Sequence, residues 1–292
     1  MLSVLIPTYN YNAFFLVEEL HKQLILETII FEVICLDDGS NSALNAENEK
    51  INTLDFSSFN PLSANIGRSA IRNLLAKKAK HKWLLFLDAD IKPVKPNFIK
   101  SYIACFKTDN TVFCGGILYQ NKKENFSLLR YKYGKKYEEI SLEKRNKNSE
   151  KYFFTSNFLI KKIVFNEINF EEKLIKYGRE DLLFSLELIK IGYQIKHLNN
   201  EVYHLGIDEN VLFVSKTKKA MENMVFLDKM HLINAEEMPL LVLVRRISLF
   251  KITKIVAKFY PIFERLTVRG SSVFFLNCMK ISYVCYLKSK HE

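Results

Sequence analysis

Asp88 and Asp90 stand two residues apart after an apolar run, Trp83-Leu84-Leu85-Phe86-Leu87. In an extended segment residues i and i+2 point to one side, so this spacing predicts two carboxylates facing one point. Two like charges that close repel unless a cation or a proton relieves them. Hard oxygen donors with positions left open suit Mg²⁺ or Mn²⁺ held together with substrate phosphates. A capping pair at a strand-to-loop junction accounts for the same residues, since Asp favours caps and turns. On this motif alone the two readings stand even.

Other groups invite the same question. Pro7-Thr8-Tyr9-Asn10, Asp37-Asp38-Gly39-Ser40 and Asn65-Ile66-Gly67-Arg68 are polar clusters next to apolar runs, each ordinary by itself. Tyr177-Gly178-Arg179-Glu180-Asp181 places two acids in the first turn of an expected helix. Acids there complement the helix dipole, which is the plainer account. The chemical account is a general base presented to a substrate hydroxyl from a rigid element. His204, ending Val202-Tyr203-His204-Leu205-Gly206, is of a type more often satisfied within the protein than used as a ligand.

The elements that position these groups follow from the apolar pattern. Ser3–Pro7, Phe31–Leu36, Trp83–Leu87, Thr111–Tyr119, Tyr152–Ile160 and Glu201–Leu205 read as strands, several continuously apolar. Asn12–Leu26, Ser69–Lys80 and Arg179–Ile191 have helical spacing, and Gly192 stops the last. Continuously apolar strands alternating with helices mean a mostly parallel sheet buried on both faces, hence α/β architecture. Ligands of such sheets bind at the carboxyl ends of the strands, where Pro7–Asn10, Asp37–Ser40, Asn65–Arg68 and Asp88–Asp90 fall.

Taken in order, the clusters resemble the family-two glycosyltransferases, inverting enzymes with the GT-A (nucleotide-diphospho-sugar transferase) fold. The resemblance runs from Val4–Asn10 through Ile34–Ser40, Asn65-Ile66-Gly67 with Arg72-Asn73, Phe86–Asp90, Gly178–Asp181 and Val202–Gly206, over roughly residues 1 to 206. It implies a sugar donor activated as a nucleotide diphosphate, most often a uridine diphosphate sugar, and a glycan or lipid-linked acceptor. Thr8 with Asp38 or Asp37 would hold base and ribose, Arg72 would lie near the nucleotide, and Asp88 would contact ribose and metal. Pro7, Tyr9, Asn65, Gly67 and Ala89 complete the implied donor-binding set. Asp90 would hold Mn²⁺ or Mg²⁺ on the diphosphate, and His204 matches a position that adds a metal ligand in some members. Asp181 would be the catalytic base, and Glu180 would bind the acceptor or support that base. Gly178-Arg179 replaces a more usual Gly-Gly, and Tyr177 stands where Trp is frequent.

Composition narrows the alternatives. The chain has 292 residues, 48% hydrophobic and 26% charged, which is globular. Five cysteines without CxxC spacing read as buried hydrophobes in a reducing compartment. Met1–Val17 is uncharged but lacks a basic start and a small-residue cleavage site, so a strand and loop are expected there. No apolar run reaches the 18 or so residues of a membrane span. The net charge is +11, and from Pro239 onward ten Lys/Arg face only Glu264 and Glu292, a net of +8 in 54 residues. Two parts are therefore expected: a catalytic domain over 1–206, and a basic helical extension over 207–292. Within Leu240–Tyr260, Lys251, Lys254 and Lys258 share a helical face beside Ile252, Ile255, Val256 and Phe259. That pattern suits an anionic membrane surface, and packing on the catalytic domain is the other reading. A cytoplasmic enzyme, peripheral on the inner face of the plasma membrane, is the expectation.

Lys122–Lys151 reads as a mobile loop or surface helix whose Tyr131, Tyr133 and Tyr137 could stack on an acceptor sugar. The expected role lies in surface polysaccharide or lipopolysaccharide-type assembly. A sugar-phosphate nucleotidyltransferase would want a glycine-rich loop where Pro7-Thr8-Tyr9-Asn10 stands. A nucleic-acid-binding protein would want a basic groove rather than acids at strand ends, so no nucleic-acid partner is expected.

Overall fold

The computed structural model of the chain describes residues 1–290, so the last two residues of the 207–292 extension lie outside the described residues. Among the described residues there are ten strands: β1 Leu2–Thr8, β2 Phe31–Asp37, β3 Ser57–Pro61, β4 Trp83–Leu87, β5 Ile91–Pro93, β6 Thr111–Cys114, β7 Ile117–Leu118, β8 Asn157–Lys161, β9 Gln194–His197 and β10 Val202–His204. Seven form one sheet in the order β3-β2-β1-β4-β8-β6-β9. Only β8 runs against its neighbours β4 and β6; the other pairings are parallel. The expected mostly parallel sheet flanked by helices is therefore present, and a helical part follows it.

The strands are apolar on both sides because both sides are covered. Along β1, Leu2, Val4 and Ile6 pack on one face with helix Phe14–Ile25, while Leu5 packs on the other. Along β4, Trp83, Leu85 and Leu87 face the first side and Leu84 and Phe86 the second. That second side is filled by aromatic rings: Phe86 stacks on Phe158 at 4.8 Å, and Phe170 on Phe184 at 4.3 Å.

Three expected strands and one helix come out differently. Thr111–Tyr119 is two strands in two sheets, broken at Gly115-Gly116. Gly116 has φ +98°, and a side chain there would run into the Arg145 guanidinium. Tyr152–Ile160 shrinks to β8, because the chain before Asn157 is irregular. Glu201–Leu205 shortens to β10, which pairs with β5 and β7 in a small separate sheet. The helix expected over Leu240–Tyr260 breaks after Leu249, where Lys251 adopts a left-handed φ of +56°, and restarts at Thr253.

The chain divides into two compact units. One comprises Met1–Gln120, Tyr137–Ile175 and Glu180–Gly206; the other comprises Asn121–Lys136, Lys176–Arg179 and Ile207–Glu292. The second unit is helical, with helices Asn210–Lys229, Pro239–Leu249, Thr253–Ala257, Tyr260–Gly270 and Val273–Ser289. Its core joins Leu129, Phe213, Val214, Leu276 and Met279. Asn210 ties it together, accepting from Leu129 N at 2.8 Å and donating to Val268 O at 2.9 Å. Among the described residues no helix is long and apolar enough to cross a membrane.

Lys122–Lys151 is more ordered than a mobile loop. It carries helices Leu129–Tyr137 and Leu142–Lys147. Arg145 in the second is 1% exposed and binds Gly115 O, Ile140 O, Leu198 O and Glu201 Oε1. Tyr131 is buried, with its hydroxyl on Asn121, and Tyr133 lies under the Lys280 ammonium at 4.3 Å. Both rings are engaged in packing.

Candidate active site

Parallel pairing of β1 with β2 sets Thr8 opposite Asp37, so the two strands end level. Thr8 is buried and its hydroxyl donates to Tyr11 O at 3.1 Å, shaping the loop that also carries Tyr9 and Asn10. Tyr9 is exposed, and Pro7, opposite Leu36, is half-buried. Asp37 is 1% exposed, and its Oδ2 accepts from Ser40 N and from Asn45. Its other oxygen, Oδ1, is buried without a partner. An acceptor left unsatisfied at a strand end is costly unless something donates to it.

Asp38 has a different task. Its two oxygens accept from Ile66 N at 2.7 Å and Gly67 N at 3.1 Å, tying the loop with exposed Asn65 to the end of β2. Burial pushes its carboxyl up, against those two N–H donors. Helix Arg68–Lys78 starts directly after Gly67, which caps it.

The two acids after β4 part company. Asp88-Ala89-Asp90 is a turn rather than an extended segment, so the period-two argument does not govern them. Arg72, 2% exposed on helix Arg68–Lys78, reaches Asp88 Oδ1 at 2.6 Å. Burial opposes the Asp88 charge, but Arg72 and then Arg68 outweigh it and hold the carboxyl below its ordinary range. Ala89 packs into the core. Asp90 faces His204 instead, with 3.6 Å between Asp90 Oδ2 and His204 Nε2. The register of β5 with β10 makes this contact, setting Ile91 opposite His204. Leu205 N donates to Asp90 O at 2.8 Å. A Cβ on Gly206 would meet the Asp90 carboxylate, which would have to shift to admit it.

His204 lies flat against Tyr119, with ring centroids 5.7 Å apart, and its Nδ1 is buried without a partner. Tyr119 is held in turn by Glu138, which accepts from its hydroxyl, and by Glu139, which accepts from its N–H. Tyr11 belongs to this group too: burial, and then the Asp90 charge, push its phenol up.

Glu180 and Asp181 open helix Glu180–Lys190 as expected. Glu180 is 6% exposed, its Oε1 lies 3.8 Å from Arg68, and its Oε2 is buried without a partner. Asp181 is half-buried and accepts from Leu182 N at 2.8 Å. Arg179, preceding the pair, has φ +80°, a left-handed conformation that side chains disfavour.

Arg68 closes the Asn65–Arg68 cluster of the sequence, where it carried no role of its own. Its half-exposed guanidinium lies by Glu180, and its charge bears on both Asp38 and Asp88. Its place as the first residue after Gly67, at the start of a helix aimed at strand-end acids, was the available signal. Tyr119 gave none, because its stacking on His204 depends on β7 and β10 pairing.

Among the described residues no three His, Cys, Asp or Glu converge as a ready-made metal cage. Asp90 with His204 is a two-donor set of one carboxylate and one imidazole, and Asp88 is drawn away by Arg72. Two protein donors fit a hard divalent cation that keeps water or phosphate oxygens as its other ligands. The residues present therefore fit such a cation in this reduced form.

Comparison with known proteins gives a family and a fold. A family model described as glycosyl transferase family 2 matches residues 3–169. No curated protein matches the sequence significantly. Among solved structures, S. aureus TarS 1–349 in complex with UDP-GlcNAc is similar at a TM-score of 0.51 and 16% identity, over 99% of this chain and 92% of that one. The same fragment in complex with UDP gives 0.52 at 17% identity, over 99% and 91%. A mannosyltransferase from Pyrobaculum calidifontis, in complex with GDP-Man and Mn²⁺, gives 0.53 at 12% identity, over 97% and 86%. These likenesses show the GT-A fold that the resemblance implied.

Proposed function

The chain belongs to glycosyl transferase family 2, and from that premise we propose that it is an inverting glycosyltransferase using a nucleotide-diphosphate sugar, with a uridine diphosphate sugar favoured. The acceptor is a hydroxyl of a glycan or lipid-linked glycan, in surface polysaccharide or lipopolysaccharide-type assembly. The observation that carries the reading is the gathering of Asp37, Asp88 and Asp90 at the carboxyl ends of β2 and β4, with β10 bringing His204 to Asp90. Structural neighbours bound to UDP, UDP-GlcNAc or GDP-Man support the donor class.

The nucleotide fits at the level ends of β1 and β2. The unpartnered Oδ1 of Asp37 is the acceptor for a base N–H, and Thr8 and the Tyr9 side line the same end. Asp88, fixed by Arg72, faces the ribose, and Arg68 extends its positive charge toward the diphosphate. Asp90 and His204 would hold Mn²⁺ or Mg²⁺. When bound, that cation supplies positive charge where negative charge accumulates on the leaving diphosphate.

The chain's own acids do the rest. Asp181 takes the proton from the acceptor hydroxyl as its oxygen bonds to the anomeric carbon. The bond from that carbon to the phosphate oxygen breaks, and the nucleoside diphosphate leaves. A single displacement with the base opposite the leaving group inverts the anomeric centre. Glu180, buried beside Arg68, orients this corner. A positioned base contributes about 10²–10⁴-fold. Asp181→Asn is therefore expected to keep donor affinity, read by calorimetry, while transfer falls by about that factor. Near-normal turnover in the variant would remove Asp181 from the role.

A further inference from the structure

The helical unit carries a continuous apolar stripe on an exposed helical face. Ile252, Ile255, Phe259, Ile262 and Leu266 recur at alternating spacings of three and four, yet each is 40 to 58% exposed. The backbone keeps right-handed helical angles at Lys258 and Phe259, so the spacing carries from Thr253–Ala257 into Tyr260–Gly270. The fully buried residues of the same path, Thr253, Ala257 and Thr267, are small, and half-buried Phe263 and Val268 pack on the core beside them. The inward side is thus already satisfied, while a continuous stripe of isoleucine, leucine and phenylalanine faces water, which marks an interaction surface. The turn before this path exposes Leu249 and Phe250 as well.

The charges beside the stripe say what covers it. Lys254, Lys258, Arg265 and Arg269 are all exposed and fall at helical spacing along its flank, with Lys251 at its start. Among the described residues, ion pairs are found for Lys218, Arg245 and Lys288 of this unit but not for these five cations. The helix's one acid, Glu264, turns inward to Lys218 at 3.0 Å and so leaves the exposed side wholly basic. A second copy of the chain would bring the same five cations against these, so a symmetric contact would set like charges together. An anionic, apolar surface answers both features.

We propose that residues 251–270 form an in-plane docking surface for an anionic lipid bilayer. The apolar stripe enters the headgroup–acyl boundary, and the flanking cations meet the lipid phosphates. This does not depend on the sugar-transfer reading.

The test is sedimentation of the full chain with phosphatidylcholine vesicles, with and without phosphatidylglycerol. Binding is expected only to the anionic vesicles, and is expected to vanish at about 1 M salt, where charges are screened within ~3 Å. Lys254→Gln with Lys258→Gln should lower partition about 30-fold, at about five-fold per cation. Ile255→Ser, Phe259→Ser and Ile262→Ser together should abolish it, with the circular-dichroism melting midpoint unchanged. Absence of wild-type binding to anionic vesicles would overturn the proposal, even if a variant failed to fold. Equal binding to neutral vesicles would overturn it too, as would a stripe-dependent dimer in light scattering that leaves vesicles unbound.

Discussion

Asp88 and Asp90 look alike in the sequence, but they have different partners in the folded chain. Arg72 pairs with Asp88, whereas among the described residues the ion-pair partner of Asp90 is an imidazole. The proposed division, Asp88 accepting hydrogen bonds and Asp90 meeting a cation, rests on that difference. His197 has a structural role instead. His197 is 2% exposed, its Nε2 lies 3.0 Å from Ser149 O, and Arg145 approaches its Nδ1 at 3.4 Å. Burial, with the Arg145 charge adding to it, lowers its pKa from 6.5 to about 4. The unfolded chain therefore binds the extra proton between these values. Neutral His197 contributes its full stability above pH 6.5, and that contribution is lost as pH falls toward 4. About 3 kcal/mol should disappear across that window. His197→Gln is expected to flatten the profile of denaturant midpoint against pH there. An unchanged slope would show that another group titrates.

At the scale of elements, Arg145 shows how a loop is fixed beside the sheet, and Arg179 shows local backbone strain. Arg145 binds Gly115 O after β6 and Leu198 O after β9 and pairs with Glu201 at 2.8 Å, which locks the diglycine break between β6 and β7. Arg179 sits in a left-handed conformation directly before the acid pair. A side chain there costs about 1–2 kcal/mol, and glycine adds unfolded-state entropy of about 0.4–1 kcal/mol in the opposite direction. Arg179→Gly is expected to raise stability by about 0.5 kcal/mol in urea unfolding, and a clear loss would mean that its guanidinium holds more than strain. Strands such as Trp83–Leu87 were legible because burial on both faces makes them continuously apolar. β9 was not, because it is four residues long and Ile195 is its one buried apolar side chain. The strand-end clusters were legible by spacing. Their division of labour was not, since Arg72 reaches Asp88 from a helix 16 residues earlier and His204 arrives on a strand paired across the chain.

At the scale of the whole molecule, the surplus charge is placed rather than diffuse. The first 238 residues are nearly balanced and hold the acids of the candidate site, while the final 54 carry +8. Membership of the family accounts for the first part, and the exposed apolar stripe with its cations accounts for the second. Asp90 and His204, beside the nucleotide end of β1 and β2, are proposed to make a cation-assisted nucleotide-sugar site. Thermal melting of the full chain with a panel of nucleotide-sugars, each with and without Mn²⁺, tests it most directly. A ligand that binds only the native state raises stability by about 2.7 kcal/mol at a hundred times its Kd. One donor should raise the midpoint, only when Mn²⁺ is present, and Asp90→Asn should abolish that rise. A midpoint unmoved by every donor with Mn²⁺, or moved equally in Asp90→Asn, would contradict the account.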